Sequence, residues 1–182
     1  MRGRSLFEPD PNTIRAAAKG DTAAFEELMR AYQAPVWRFL RHLLRDASLA
    51  EDVTQETFIR VYRRLHTFRF RSKFSTWVFQ VARNAGIDAL RARERRSRLL
   101  QVVRPERVVP DPSARLEISE ALSRLTPMLR EAFLMIEVLG LTYRESGRAL
   151  GVPEGTVKSR VFRAREQLVA WLGDQGEQAH EV

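Results

Sequence analysis

The sequence contains no cysteine, so disulfides, iron–sulfur clusters and thiolate zinc sites are excluded. Its three histidines, His42, His66 and His180, are scattered and have no metal-ligand spacing. A glycine-rich phosphate loop is also missing, and no nucleophile stands beside a candidate base. We therefore expect a protein that is not an enzyme and that needs no metal and no cofactor.

Long apolar runs are missing as well. None approaches the roughly 20 residues that a membrane-spanning helix needs, and the N-terminal stretch MRGRSLFEPDP lacks the apolar core of a signal peptide. Acidic residues are outnumbered, because 31 Lys and Arg stand against 23 Asp and Glu and give a net charge of +8. Such a surplus favours polyanions through counterion release. We expect a basic, soluble, cytoplasmic protein with no membrane contact.

The clearest pattern lies in residues 141–168, which predict two short helices joined by a tight turn. Gly151 suits a helix C-cap, and Pro153 cannot continue the helix that it follows. Glu154 then begins a second helix, where the helix dipole favours an anion. One apolar stripe follows this second helix at helical period, formed by Val157, Val161, Ala164 and Leu168.

The opposite face of this second helix is polar and basic around one ring. On a helical wheel it carries Gly155, Ser159 and Phe162, flanked by Lys158 and Arg163. A helix, a short turn and a basic second helix form the layout that places a recognition helix in the DNA major groove. The alternative is an ordinary helical hairpin with a solvated basic face. We favour DNA binding because the turn, the stripe and the charged face agree.

Helical periodicity also fills the first half of the chain. A short helix is expected over residues 12–19. The next helix begins after Asp21, and Pro35 is expected to kink or split it. Further helices are expected over residues 46–65 and 75–96. The first of these two carries an acidic-polar ridge that ends on an apolar residue, formed by Asp52, Gln55, Glu56 and Ile59. From spacing alone, a solvated face explains this ridge.

Residues 66–74, HTFRFRSKF, alternate aromatic and basic side chains. We expect a loop here, because no partner strand is predicted anywhere in the chain. Rings interleaved with cations suit unstacked bases, which need π-platforms and phosphate contacts. The alternative, with equal weight, is a loop whose rings fold back onto the core. The candidate contacts are Phe68, Arg69, Phe70, Arg71 and Lys73.

The basic surplus is concentrated in the middle of the chain. Between Arg60 and Arg107 the sequence has 14 Lys and Arg against three acids, namely Asp88, Glu94 and Glu106. In the 75–96 helix, several polar residues share a face that differs from the apolar stripe: Arg83, Asn84, Asp88 and Arg91.

Three prolines and little helical period in residues 97–113 suit an extended linker. We therefore predict an all-α protein of two small helical domains joined by a flexible linker, the C-terminal one a helix-turn-helix domain. The expected bounds are 1–20 for an N-terminal arm and short helix, 21–96 for the first domain, 97–113 for the linker, 114–172 for the second domain and 173–182 for a flexible tail.

Three stretches occur in order: AEDVTQETFIRVYRRL, FSTWVFQVARNAGIDALR and YRESGRALGVPEGTVKSRVFRAREQL. Together they resemble the bacterial RNA polymerase sigma factors of the extracytoplasmic-function (ECF) group. The resemblance implies two helical domains, regions 2 and 4, without the middle domain of larger family members. It implies binding of core RNA polymerase and of double- and single-stranded promoter DNA. It also permits an anti-sigma factor as a partner.

The resemblance gives each motif a role. The ridge Asp52, Gln55, Glu56 and Ile59 would dock on the clamp of the polymerase large subunit. The aromatic-basic loop would capture a base flipped from the non-template strand at the −10 element. Farther along that strand would lie Asn84, Asp88 and Arg91. The helix after the turn would enter the major groove at the −35 element, with contacts from Gly155, Thr156, Lys158, Ser159, Phe162 and Arg163.

One departure from the family pattern is Ser146-Gly147, where the family usually has an aliphatic residue and alanine. Glycine is expected to cost a helix interior about 0.5–1 kcal/mol relative to alanine. Ser146 is expected to forfeit burial worth roughly 1.5–3 kcal/mol for a large aliphatic side chain. We therefore expect a less stable C-terminal domain with an intact DNA face.

Three rival functions are open. A stand-alone helix-turn-helix repressor or activator explains residues 141–168 but leaves the loop and the ridge without a role. A nucleic-acid enzyme lacks a catalytic constellation. An interaction protein with an acidic partner overlaps the main interpretation, because an anti-sigma factor could be such a partner.

Overall fold

A computed structural model describes residues 6–100 and 116–178; for residues 99–100, 116–119 and 172–178 only the backbone is described. Within these ranges the chain forms helices, turns and loops and no strand. This confirms the predicted all-α class. The helices are α1 Pro11–Ala18, α2 Thr22–Leu44, α3 Ala47–Arg64, α4 Phe74–Leu100, α5 Leu116–Arg124, α6 Pro127–Phe133, α7 Tyr143–Leu150 and α8 Glu154–Gln178. A 3-10 turn, Leu65–Thr67, follows α3, and a π-helical turn, Leu134–Val138, extends α6.

Side-chain caps fix where these helices begin. The Asp21 carboxylate accepts a hydrogen bond from the Ala24 amide at 3.0 Å, and Asp46 accepts one from the Leu49 amide at 3.0 Å. Each bond satisfies a backbone donor that has no intrahelical partner. Of the two expected effects of Pro35, a kink or a split of its helix, the split does not occur, because Pro35 lies inside the single helix α2.

Two helices run farther than the sequence indicated. α4 continues to Leu100, four residues into the stretch predicted as linker, and α8 continues to Gln178, past the predicted end of the second domain at residue 172. The remainder of the predicted linker, residues 101–113, lies outside the described residues, as do the first five residues of the arm and the last four of the tail.

The predicted apolar stripes form the core. Four stripe residues of α4 are buried, namely Phe74, Val78, Val81 and Ala85. In α2 the buried stripe residues are Leu28, Tyr32, Val36, Phe39 and Leu43, while Phe25 is half-buried. Side chains from both halves of the chain belong to one apolar cluster, because α4 lies against α7 and α2 lies against α5 and α6.

A buried ion pair joins the two halves at the α4–α6 contact. Arg83 of α4 donates two hydrogen bonds to the Glu131 carboxylate of α6, with N···O distances of 2.9 and 3.2 Å. The Glu131 side chain is only 3% exposed, and Arg160 of α8 approaches the same carboxylate at 3.6 Å. Glu131 therefore contacts one cation from each half of the chain.

Gly147 has a packing role in the turn between α7 and α8. A Cβ atom at this position would lie 2.8 Å from the Val152 carbonyl oxygen and 3.5 Å from the Glu154 amide nitrogen. The expectation that Gly147 merely weakens α7 is therefore wrong, because the glycine lets the turn close on the helix. Ser146 is fully buried, and its hydroxyl has no partner among the described residues.

We expect Gly147→Ala to destabilise the protein, although alanine is the better helix former. Overpacking of a tight site typically costs about 1–3 kcal/mol, which exceeds the roughly 0.5–1 kcal/mol of helix propensity that alanine gains. Ser146→Ala, the neighbouring control, removes a buried hydroxyl without a partner and should be neutral or stabilising. Urea unfolding midpoints of the two variants test this. A midpoint for Gly147→Ala above that of the wild type would contradict it.

Candidate nucleic-acid interface

The helix-turn-helix is built as its sequence predicts. Thr142 caps α7 in a capping box, accepting from the Glu145 amide while the Glu145 carboxylate accepts from the Thr142 amide. α7 then ends at Gly151, whose φ of 69° is left-handed and suits glycine. On α8 the predicted stripe faces the core, with Val157, Val161 and Ala164 buried and Leu168 half-buried.

The opposite face of α8 is open to solvent. Phe162 is 63% exposed, the largest exposure of a phenylalanine among the described residues. The other predicted −35 contacts share this side: Gly155, Lys158, Ser159 and Arg163 are exposed and Thr156 is half-buried. An open cavity of about 600 Å³ lies beside them, lined by Tyr143, Lys158, Ser159, Phe162, Arg163, Arg165 and Glu166.

Local bonds orient part of this face. Lys158 forms an ion pair with Glu154 at 2.9 Å, one turn earlier, and the Ser159 hydroxyl donates to the Thr156 carbonyl at 2.9 Å. The Arg163 side chain has no ion pair or hydrogen bond with any described residue, although it is exposed beside Phe162. Among the predicted contacts, Arg163 is therefore a cation with no competing intramolecular partner in the described chain.

The aromatic-basic loop places its first two rings in different surroundings. The Phe68 ring is half-buried and packs edge-on against Phe74 at 5.5 Å and beside Trp77 at 5.4 Å, measured between centroids. Phe70 lies at the outside of this cluster, 4.9 Å from Phe68, and is 43% exposed. Its φ of 54° is left-handed, a conformation that L side chains rarely adopt. Phe68 therefore follows the interpretation of a ring folded back onto the core, while Phe70 is exposed and its binding of an unstacked base stays a prediction.

The basic residues of this loop lie close to α7. Lys73 forms an ion pair with Glu145 at 2.9 Å, and Arg148 donates to the Arg71 carbonyl at 3.3 Å. Burial favours a higher pKa for Glu145, but its bonds with Lys73 and Thr142 prevail and hold that pKa below its ordinary value. Arg69, Arg71 and Lys73 themselves are exposed.

Asn84, Asp88 and Arg91, the predicted strand contacts of α4, are all exposed on one side of the helix. Asp88 also forms an ion pair with a neighbouring helix. Its carboxylate accepts from Arg60 of α3 at 2.8 Å, and the same guanidinium donates to Glu56 at 2.7 Å. The bond with Glu56, followed by the bond with Asp88, raises the pKa of Arg60. One arginine thus connects a predicted polymerase contact to a predicted DNA contact.

The ridge on α3 is exposed as predicted at Asp52, Gln55 and Ile59, while Glu56 is half-buried by its bond with Arg60. Sequence reasoning missed Tyr62, which is 56% exposed and meets Phe25 edge-on at 5.0 Å. Because Tyr62 lies three residues beyond Ile59, extending the ridge by one helical step would have found it. Ile59 and Tyr62 together form an exposed apolar end of the ridge.

An exposed basic helix after a tight turn, together with a loop of rings and cations, is typical of a DNA-binding protein. Residues 28–96 match the family described as Sigma-70 region 2, and residues 115–168 match Sigma-70, region 4. The chain is 38% identical over 161 residues to the ECF RNA polymerase sigma factor SigC of Mycobacterium tuberculosis, covering 85% of this chain and 86% of that protein. It is 36% identical over 152 residues to SigM of Bacillus subtilis, covering 80% and 93% respectively.

Solved structures agree with these relatives. The sigma factor RpoE of Bartonella quintana, determined in complex with the anti-sigma factor NepR, superposes with a TM-score of 0.75 at 27% identity, over 82% of this chain and 96% of that one. CnrH, determined with the cytosolic domain of CnrY, gives a TM-score of 0.70 at 24% identity, over 90% and 96%, and shows the same fold.

The chain belongs to the ECF group of bacterial RNA polymerase sigma factors, as its motifs indicated. It is a transcription initiation factor that binds core RNA polymerase, recognises the −10 and −35 promoter elements and promotes strand opening. A stand-alone repressor is not favoured. The relatives are sigma factors rather than enzymes. No helix among the described residues is long and apolar enough to cross a membrane.

Proposed function

We propose a separate role for each of three surfaces of this sigma factor. α8 reads the −35 element in the major groove, the 68–74 loop and the exposed side of α4 hold the opened −10 strand, and the ridge on α3 docks on the clamp of the polymerase large subunit. We further propose that the protein acts in the cytoplasm, where RNA polymerase works, and has no catalytic activity of its own.

The observation that carries this proposal is the exposure of Phe162 between two cations on a helix whose other face is buried. A large ring that is 63% open to solvent contributes little burial to the stability of the fold. Placed in a major groove, it can contact a thymine methyl group while Lys158 and Arg163 contact phosphates or base edges. α8 therefore has the shape and the charge of a recognition helix.

In vitro transcription with purified core polymerase tests these proposed roles. The full chain and core enzyme should together initiate from promoters selected out of a random library, and the selected promoters should share two elements. The full chain alone should not initiate. If the chain bound the selected duplex equally well with and without core enzyme and directed no transcripts, a repressor-like function would replace the proposal.

Arg163→Ala is expected to lose sequence discrimination at the −35 element. A bidentate arginine contact with a guanine is worth about 1–3 kcal/mol of discrimination, and no described residue competes for this guanidinium. Arg163→Lys is the matched control, since lysine keeps the charge but not the planar fork. It should keep non-specific affinity and lose discrimination. Titration of the holoenzyme against cognate and base-substituted duplexes measures both. An equal loss on every duplex from Arg163→Ala would make Arg163 a phosphate contact.

The ridge supports docking because it combines exposed acids with an exposed apolar end. Asp52 and Gln55 point to solvent, and Ile59 and Tyr62 are 45% and 56% exposed. An apolar centre with polar neighbours is typical of protein interfaces. Glu56 differs from the other ridge residues, because it also holds Arg60 against α4.

Charge reversal at Asp52 should weaken binding to core polymerase without changing the fold. Loss of a close charge pair in an interface typically costs about 2–5 kcal/mol, and Asp52 makes no hydrogen bond or ion pair with any described residue that its reversal would break. Glu26→Arg on α2 is the control, because Glu26 is another exposed acid, and among the described residues it pairs with Arg30 alone. Fluorescence titration of labelled core enzyme measures the affinities. Equal affinity for core enzyme in Asp52→Arg and wild type would refute the assignment.

We also propose an anti-sigma factor as a regulatory partner. Support comes from RpoE, which shares 27% of its residues with this chain and was determined bound to the anti-sigma factor NepR. Three exposed functional surfaces, on α3, on α8 and in the 68–74 loop, offer such an inhibitor places to compete with polymerase or DNA.

A further inference from the structure

An N-terminal segment, defined here as residues 6–18, lies over the start of α4. The Tyr32 hydroxyl of α2 donates to the Phe7 carbonyl at 2.5 Å, and Pro9 is buried. Burial first, and the Glu8 carboxylate second, raise the pKa of Tyr32 above its ordinary value. The tyrosine therefore stays protonated and keeps donating. The bond fixes the backbone on either side of Glu8.

Glu8 caps α4 from a distance of 67 residues in sequence. Its carboxylate accepts from the Ser75 amide at 3.1 Å and from the Ser75 hydroxyl at 2.8 Å. Ser75 is the second residue of α4, and its amide is one of the donors that the helix itself leaves without a partner. A carboxylate there also suits the positive end of the helix dipole. Glu8 additionally attracts Lys73, the last cation before α4.

Arg15 of α1 holds the other end of the same loop. Its guanidinium lies 5.0 Å from the centroid of the Phe70 ring, within the range of a cation–π contact. A hydrogen bond of 3.1 Å to Asn12 fixes the guanidinium in turn. Phe70 is the loop residue with the left-handed backbone, and such strain persists only where the surroundings hold it.

We propose that the N-terminal segment is a positioning element for the −10 loop: Glu8 fixes where the loop enters α4, and Arg15 fixes the ring of Phe70, so that strand capture depends on both. This inference rests on the proposed role of the loop in binding the opened strand. Neither residue touches a base in this arrangement, and each acts through a residue of the loop or of the first turn of α4.

The N-terminal segment does not need the contacts of Glu8 and Arg15 to stay attached to the core. Ile14 and Ala17 anchor the segment to the core and are buried, which is enough to hold α1 in place. Glu8 and Arg15 are themselves exposed, yet both converge on the stretch between Phe70 and Ser75. A preorganised loop binds its strand better because less ordering remains to be done on binding.

The test uses holoenzyme and a fluorescent oligonucleotide carrying the non-template strand of the −10 element, taken from a promoter that the wild-type holoenzyme selects. The variants are Arg15→Ala, Glu8→Ala and Glu8→Gln. Arg30→Ala and Glu26→Ala are matched controls, because within the part of the chain that the structure describes this exposed pair bonds only inside α2. Each variant is also assayed for binding to core enzyme and for its thermal melt.

Arg15→Ala should lower affinity for the single strand about tenfold, equivalent to about 1.4 kcal/mol. Its affinity for core enzyme and its melting temperature should match those of Arg30→Ala. Glu8→Ala should lower strand affinity similarly, but it should also lower the melting temperature because α4 loses a cap. Glu8→Gln should be intermediate in both, because the amide oxygen still accepts from Ser75. If Glu8→Ala fails to fold, the strand affinity of Glu8→Gln tests whether Glu8 contributes to strand binding. Unchanged strand binding by the folded variants would overturn the proposal.

A double-mutant cycle with Phe70→Ala separates this inference from the function on which it rests. If Arg15 acts through Phe70, Arg15→Ala should cause no further loss in the Phe70→Ala background. An undiminished loss there would make Arg15 a direct DNA contact and overturn the positioning role. If Phe70→Ala itself binds the strand normally, the loop's proposed function fails. A deficient Phe70→Ala beside a normal Arg15→Ala would refute positioning alone.

Discussion

Phe70→Ala should leave the protein folded and impair promoter opening, whereas Phe68→Ala should mainly lower stability. Phe70 is 43% exposed at the edge of the ring cluster, so its loss removes little packing. A base stacked on an aromatic ring gains about 1–3 kcal/mol, and an unpaired base without that platform returns to the duplex. Opening should therefore fall by about tenfold or more, given that 1.4 kcal/mol is a factor of ten.

Phe68 should contribute more to packing than to base stacking, because its ring contacts Phe74 and Trp77. Truncating a fully buried phenylalanine costs about 3–5 kcal/mol, and the half-buried Phe68 should lose part of that. Its effect on opening should follow the loss of folded protein. The two rings were indistinguishable in the sequence, where each stands beside an arginine.

Permanganate footprinting of unpaired thymines, beside a thermal melt of each variant, checks both expectations. Phe70→Leu is the matched control, since leucine keeps apolar bulk and removes the π-face. It should open promoters as poorly as Phe70→Ala if stacking is the cause. Normal promoter opening by a folded Phe70→Ala protein would show that Phe70 does not capture a base. A melting temperature of Phe68→Ala equal to that of the wild type would contradict the packing role of Phe68.

Features with a local signal were predictable from the sequence. Helical period gave the buried stripes of α2, α4 and α8, and the caps at Asp21 and Gly151 gave helix ends, because each depends on neighbours within about four residues. The exposed face of α8 followed from the same periodicity. Whether its residues contact DNA stays a prediction.

Features that join distant parts of the chain had no such signal. The carboxylate of Glu8 caps Ser75, and Glu131 receives Arg83 and Arg160, each pair lying tens of residues apart. Gly147 shows the same difficulty at short range. Its helix propensity was calculable, but the approach of the Val152 carbonyl depends on how the turn folds back. Helix propensity therefore predicted the wrong direction for the effect of Gly147 on the stability of the protein.

Arg130 is a buried cation of α6 that bonds to both halves of the chain. It is 6% exposed, and its guanidinium donates to the carbonyls of Leu122 at 2.8 Å, Ser123 at 3.0 Å and Leu125 at 2.8 Å, around the end of α5. A further bond of 3.3 Å reaches the Leu43 carbonyl near the end of α2. The last carbonyls of a helix have no intrahelical partner, so this one side chain supplies donors to two helix ends.

Arg130→Met should therefore be among the most destabilising single substitutions in the described chain. Each buried acceptor left without a donor costs about 1–3 kcal/mol. The Leu43 and Leu125 carbonyls would lose the donor that Arg130 supplies, whereas the Leu122 and Ser123 carbonyls keep a bond with the Leu125 amide and with Arg45. Small domains have only about 5–15 kcal/mol of stability in total. Arg130→Lys should rescue little, because a single ammonium cannot reach four acceptors arranged around a planar fork. Methionine roughly fills the space, so the loss reports the hydrogen bonds rather than a cavity.

Arg124→Met is the control for Arg130→Met. Arg124 lies at the end of α5 that Arg130 contacts, but its side chain is 59% exposed, and its partners among the described residues are Glu120 at 3.5 Å and the Trp171 ring. Exposed pairs of this kind contribute about 0–1 kcal/mol, so its melting temperature should stay near that of the wild type. Calorimetry of both variants measures the difference. Because Arg130 also bonds to α2, its loss should lower the melting of the N-terminal half together with that of the C-terminal half. If Arg130→Met melted at the temperature of the wild type, or if only the C-terminal half melted at a lower temperature, the Leu43 bond would not couple the stabilities of the two halves.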